Sequence, residues 1–224
     1  FDINEYPEIE IFQKYFECDF CEYNEDYFIK NISKYTILVP HLYLDLSSKL
    51  IGQAHNLKYL FTPSTGTNHI DLQAVKENDI NFYCLSDDAD FISEISSTAE
   101  LAWLLILAAN RKIISLNRRV ISENSWKNND IRGNQLKNKT IGIIGFGRLG
   151  KMVYEYAKSF DMNILIYDVD KNSVLGFENH AVDFDELIKS SDVITLHPKL
   201  NETSFEMINS RSIKLMKDGV IIIN

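Results

Sequence analysis

Residues 140–150 read TIGIIGFGRLG: an apolar run, Ile141 to Ile144, opens into Gly145-Phe146-Gly147-Arg148-Leu149-Gly150 and passes directly into a helical pattern. A strand, glycine turn and helix in this order form a dinucleotide cradle. The first glycine permits the tight turn, the second lets backbone approach a pyrophosphate, and the third lets helix and strand pack closely. The helix-start N–H groups face the anion. The helix is amphipathic, with Leu149, Met152, Val153, Tyr156, Ala157 and Phe160 on its apolar side. A second apolar run, Asn163 to Tyr167, delivers Asp168, where a carboxylate accepts hydrogen bonds from an adenosine ribose. Gly145, Gly147, Arg148, Leu149, Gly150 and Asp168 are therefore the candidate contacts of an NAD cofactor. Arg148 offers charge-assisted hydrogen bonds to the pyrophosphate. Asp168 favours NAD over NADP, because a carboxylate repels a 2′-phosphate.

The same strand and helix alternation continues on both sides. Downstream, Asp183 is placed to cap a helix from Phe184 to Ser190, followed by a strand from Val193 to Leu196, a helix from Arg211 to Met216 and a strand from Val220 to Ile223. Upstream, strands are expected at Phe16 to Cys21, Tyr35 to Pro40, Tyr59 to Thr62 and Asn81 to Leu85, with helices at Ser47 to Ala54 and Leu72 to Asn78, the latter capped by Asp71. Between the two halves, Ser97 or Thr98 opens a long helix from Ala99 to about Ile121, apolar nearly all round its first turns and so expected to be buried on most sides. This pattern is α/β with parallel strands. Residues 1–98 carry 17 Asp/Glu against 6 Lys/Arg, a charge of −11, and residues 99–224 carry 15 against 17, a charge of +2. The shift in composition at the long helix marks a domain boundary, 1–98 and 99–224. The chain stops at Asn224, on the rim of the crevice where open α/β sheets bind ligands, and starts without an initial strand, so it reads as incomplete at both ends.

A net charge of −9 leaves no basic footprint for nucleic acid or an anionic membrane. No eighteen-residue apolar stretch suggests a membrane span, no basic-then-apolar leader opens the sequence, and three cysteines fit a reducing, cytoplasmic setting. Cys18 and Cys21 form a CxxC, but on a strand residues three apart face opposite ways, and no second CxxC follows. No metal site is expected.

Five segments extend the reading to a family. Ser64-Thr65-Gly66-Thr67-Asn68-His69-Ile70-Asp71 resembles a substrate-loop motif and Ser97-Thr98-Ala99-Glu100 opens an interdomain helix. Trp126, Gly133 and Leu136 precede the glycine turn, and Ser191 to His197 and Gly219 to Asn224 match two later strands. Together, from about Tyr35 to Asn224, they resemble the D-isomer-specific 2-hydroxyacid dehydrogenases, which include phosphoglycerate, D-lactate, formate and glyoxylate-reducing members. The resemblance implies a two-lobed enzyme, a Rossmann-type doubly wound NAD-binding domain plus a flavodoxin-like substrate domain, which forms a homodimer and acts on a small 2-hydroxy or 2-oxo acid. It places the substrate carboxylate on the backbone N–H groups of Thr65 and Gly66, His197 near the nicotinamide-side ribose, and Pro198 and Thr203 beside the adenosine, with Pro198 one place earlier than usual. Where phosphoglycerate members usually carry Arg, this chain has Thr62, which points away from a phosphorylated substrate.

The same resemblance puts the catalytic Arg three residues beyond Asn224, and the acidic residue and general-acid His later still, so no catalytic residue is expected within this chain. Of the five histidines, His197 is expected to contact the cofactor rather than do acid/base work, His69 in the substrate loop is expected to cap structure or lie exposed, and His41, His55 and His180 read as surface or packing residues. The second reading, from another class, is a non-catalytic NAD-sensing binding protein like the family's corepressors. The acidic first lobe weighs against it.

Overall fold

The computed structural model describes residues 9–20, 24–123 and 131–224. The chain divides into two compact units, Phe1–Ile92 and Ser93–Asn224. Trp126 lies outside the described residues.

In the first unit, helices α1 (Ile9–Gln13) and α2 (Glu25–Asn31) precede β1 (Ile37–Leu38), β2 (Tyr59–Thr62) and β3 (Asn81–Cys84), which pair in parallel in the order β1-β2-β3. Parallel strands need crossovers, supplied by α3 (Ser48–Ile51) and α4 (Leu72–Glu77), and α5 (Ala89–Ser93) follows β3. Asp71 caps α4 as expected, its carboxylate accepting the Ala74 N–H at 3.0 Å. One face of the sheet is buried, with Leu60 packed among Leu44, Leu46, Ile51 and Ile32. The other carries a row of exposed rings: Tyr59, Phe61 and Tyr83 stack at centroid separations of 6.4 and 5.1 Å.

The strand expected at Phe16 to Cys21 does not form in the described residues. α1 ends in a turn in which Tyr15 and Phe16 donate their N–H groups back to the Phe12 carbonyl, and Glu17 to Phe20 carry no regular structure. Aromatic residues favour strands only where a pleated, half-buried surface receives them, and Tyr15, Phe16 and Phe20 are exposed. Cys21 lies outside the described residues, and among those described no group of three potential metal ligands occurs.

In the second unit, α6 (Ser97–Asn110) and α7 (Ile113–Glu123) lead to β4 (Thr140–Ile144), α8 (Arg148–Ser159), β5 (Asn163–Tyr167), α9 (Phe184–Ser190), β6 (Val193–Leu196), α10 (Ser210–Leu215) and β7 (Ile221–Ile223). The four strands are parallel in the order β5-β4-β6-β7. Winding therefore reverses at β4, with β5 on one side and β6 on the other. Both faces are covered. Ala99, Trp103 and Ile106 of α6 and Val153 and Ala157 of α8 pack with Ile141 and Ile143, while Leu187 and Ile188 of α9 pack with Ile144 and Ile194. Fully burying an aliphatic side chain is worth about 1.5–3 kcal/mol, so this two-sided core is the main source of the unit's stability.

The single helix expected from Ala99 to about Ile121 is two helices. The chain breaks at Lys112, whose φ is +55°, while Arg111 and Lys112 close α6 by donating to the Leu107 and Ala109 carbonyls. Nor is it buried all round: Leu101, Leu104 and Leu105 are exposed, and α7 buries no residue. Continuous apolarity loses the periodicity that would have told the packed face from the open one. By length and composition alone the run Ala89–Asn110 suffices to cross a membrane. The apolar residues of α6 nevertheless have a use in the core, since Ala99 and Ile106 are fully buried there.

Candidate nucleotide-binding site

β4 ends at Ile144 and the backbone turns at Gly145 with φ +86°, a conformation that favours glycine. Gly145 is also pressed against the end of β6, where a Cβ would lie 2.5 Å from the Pro198 nitrogen and 2.6 Å from the His197 carbonyl carbon. At Gly150 a Cβ would lie 2.2 Å from the Gly145 carbonyl oxygen, so helix and strand meet at a distance that excludes any side chain. Gly147 differs from both. Its φ of −77° suits any residue, and a Cβ there would meet nothing within 4 Å. Two glycines are thus demanded by the protein itself, while the third leaves open space at the N-cap of α8. The first N–H groups of a helix lack intrahelical partners and sit at the positive end of its dipole. A pyrophosphate fits that space and those donors.

Asp168 follows β5 and is held by two backbone donors: its Oδ2 accepts the Phe146 N–H at 2.6 Å and its Oδ1 accepts the Asp170 N–H at 2.9 Å. Each oxygen keeps a lone pair for a further donor such as a ribose hydroxyl. His197, just past β6, donates its N–H to the Ile144 carbonyl at 2.7 Å, and its ring Nε2 lies 2.8 Å from the Thr195 hydroxyl. Burial pushes the His197 pKa down to about 4, so the ring is neutral at pH 7. It is a poor proton donor there. Arg148 donates from Nη1 to the Ile95 carbonyl, so its guanidinium is engaged by the chain just before α6. Thr203 is exposed, its N–H and hydroxyl both donating to Asn201 Oδ1 at 2.9 and 2.7 Å.

Gly145, Gly147, Leu149, Gly150, Asp168, His197 and Pro198 are therefore brought to the carboxyl ends of β4, β5 and β6, at the reversal of winding where such sheets bind ligands. In the first unit, Thr65 and Gly66 lie in the exposed loop after β2, and a Cβ on Gly66 would meet nothing within 4 Å. The loop is braced from below. Ser64 donates from its hydroxyl to the Gly66 carbonyl at 2.6 Å, and the buried Thr62 hydroxyl lies 2.9 Å from Ser64 Oγ and 3.4 Å from His69 Nε2. His69 is thereby part of the loop's bracing.

Comparison with known proteins agrees with this architecture. Residues 103–224 match the model of the D-isomer specific 2-hydroxyacid dehydrogenase NAD binding domain, and residues 2–104 match that family's catalytic domain. The chain belongs to the D-isomer specific 2-hydroxyacid dehydrogenases. It is 36% identical over 198 residues to the D-3-phosphoglycerate dehydrogenase of Archaeoglobus fulgidus, covering 88% of this chain and 36% of that protein. Identity to the hydroxypyruvate reductase of Thermotoga maritima is also 36%, over 202 residues, 89% of this chain and 63% of that protein. Among solved structures, the D-lactate dehydrogenase of Aquifex aeolicus complexed with NAD and lactic acid superposes with a TM-score of 0.75 at 34% identity, covering 87% of this chain and 57% of that one. The chain thus spans between about a third and two thirds of the length of these relatives. The domain matched by residues 103–224 is an NAD binding domain, and NAD is the cofactor.

Two features of the site escaped sequence reasoning. The Phe146 N–H that holds Asp168 left no signal in residue type, because a backbone donor is common to every residue but proline. Thr195 was legible in principle: it stands two residues before His197 at the end of a strand, a spacing that puts both side chains on one face.

Proposed function

We propose that this dehydrogenase interconverts a small D-2-hydroxy acid and its 2-oxo acid, with NAD exchanging the hydride when bound. The observation that carries the reading is the glycine turn, whose Gly147 leaves room for a pyrophosphate beside the α8 N–H groups while Gly145 and Gly150 close the protein around it. Asp168 would take the adenosine ribose and discriminate against NADP. Backbone N–H groups of Thr65 and Gly66 would hold the substrate carboxylate, an approach that glycine permits. His197, neutral and bonded to Thr195, would contact the cofactor, as would Pro198 and Thr203. The family's carboxylate-orienting Arg and its acid/base His with acidic partner match no residue of these 224, which would therefore bind NAD without turnover.

The exposed leucines of α6, Leu101, Leu104 and Leu105, support a homodimer. The test is NADH oxidation by the intact protein with glyoxylate, hydroxypyruvate and pyruvate, the same preparation being sized by light scattering. Turnover that prefers NADH to NADPH, from a dimer, is expected. Cofactor binding without turnover on any 2-oxo acid would favour a binding protein instead.

A further inference from the structure

We infer that Phe146 positions Asp168 for the adenosine ribose, and so sets the preference for NAD over NADP, although its ring lies wholly in the core. The inference rests on the proposed meeting of Asp168 with the ribose. In the tripeptide Gly145-Phe146-Gly147 the flanking residues have no side chain. The Phe146 ring is therefore the one side-chain anchor within the tripeptide. It is fully buried, edge-to-face with Tyr154 of α8 at 5.8 Å between centroids and with Phe177 at 4.9 Å. Tyr154 and Phe177 in turn meet edge-to-face at 5.1 Å.

These walls are themselves fixed. The Tyr154 hydroxyl lies 3.2 Å from His180 Nε2, and His180 Nδ1 lies 3.2 Å from the Ile164 carbonyl of β5. Phe177 donates its N–H to the Val174 carbonyl at 2.9 Å. The ring thus locks the turn to the helix that follows it and to the segment that follows Asp168. Its backbone N–H is one of the two donors that hold the carboxylate, at 2.6 Å. Truncating the ring leaves a cavity and frees a turn flanked by two glycines, the residues with most backbone freedom. The N–H then leaves its fixed place, and Asp168 keeps Asp170 as its backbone partner. A pyrophosphate contact made by the N-terminus of α8 is affected less, because α8 is held by its own buried face, Val153 and Ala157.

The experiment compares NADH and NADPH dissociation constants of the intact protein by fluorescence titration, with circular dichroism as a check on folding, for Phe146→Ala, Phe146→Leu and Asp168→Ala. Phe146→Ala is expected to weaken NADH by about tenfold, as loss of one hydrogen bond to a charged group does, and NADPH by much less. The ratio then falls toward that of Asp168→Ala, and Phe146→Leu restores most of it. If Phe146→Ala folds and weakens both cofactors alike, the ring is merely structural and the inference is overturned. An unchanged ratio in Asp168→Ala overturns the ribose reading underneath it. Should Phe146→Ala fail to fold, Phe177→Ala, which removes one wall of the slot, decides: a narrowed ratio supports the inference and an unchanged one overturns it.

Discussion

The two units of this chain are both built on parallel sheets, yet their strands are buried in different ways. In the second unit β4 is buried at every position from Ile141 to Ile144, and β6 from Val193 to Thr195. In the first, β2 alternates, with Leu60 and Thr62 buried and Tyr59 and Phe61 exposed. All-parallel sheets are ordinarily covered on both faces, and their strands read as continuous apolar runs. Alternation in a parallel strand therefore marks a face left open by the described residues of its own unit. The nucleotide unit assembles its proposed site from its own strands, turn and helix, while the first unit braces a loop and, among its described residues, leaves one sheet face open.

The comparison predicts where side chains are tolerated. The largest effect is expected at Gly150, where Gly150→Ala puts a Cβ against the Gly145 carbonyl oxygen. Denaturant unfolding should show a loss of at least about 3 kcal/mol, the upper range for forced overpacking, whereas Gly66→Ala in the first unit should stay within about 0.5 kcal/mol. Equal effects at the two glycines would mean that the close approach of α8 to β4 is not real. Next come the sheets themselves. Ile143→Ala should destabilise by about 2–5 kcal/mol, and Phe61→Ser, on the open face, by under about 1 kcal/mol. A large loss from Phe61→Ser would show that the open face is covered in the intact protein.

A smaller difference is read from pH. His197 has its pKa lowered by burial from 6.5 to about 4, so the neutral ring is favoured in the folded state. That contribution is fully present above pH 6.5 and is lost as pH falls from there toward 4. The shift corresponds to at most about 3 kcal/mol. Urea midpoints measured across this range should fall as the pH is lowered, and His197→Gln should flatten that part of the profile. A slope unchanged by the substitution would mean that His197 is not buried as described.

Much of this was legible in the sequence, for reasons that differ between the units. β4 and β6 are buried enough, and β5 apolar enough, that apolar runs located them to within a residue, and Asp71 found its helix because an N-cap is a local hydrogen bond. The first unit misled at Phe16 to Cys21, where aromatic content resembled a strand with no surface to receive it. The helix of 99–121 misled because an apolar run carries no phase: the break at Lys112 and the exposed Leu101, Leu104 and Leu105 depend on what packs nearby. At the site, residue types announced the glycines and Asp168. The Ile95 carbonyl that receives Arg148 and the Phe146 N–H that holds Asp168 are backbone groups, and backbone groups leave no mark on a sequence.

The central claim is that the room at Gly147 belongs to a ligand, whereas that at Gly145 and Gly150 belongs to the protein. Gly147→Val tests it in one preparation, measured for urea unfolding and for NADH binding by fluorescence titration. Stability should remain within about 1 kcal/mol, since an added Cβ meets nothing within 4 Å, while NADH binding should be abolished. A variant that keeps its stability and binds NADH as the parent does would contradict the account.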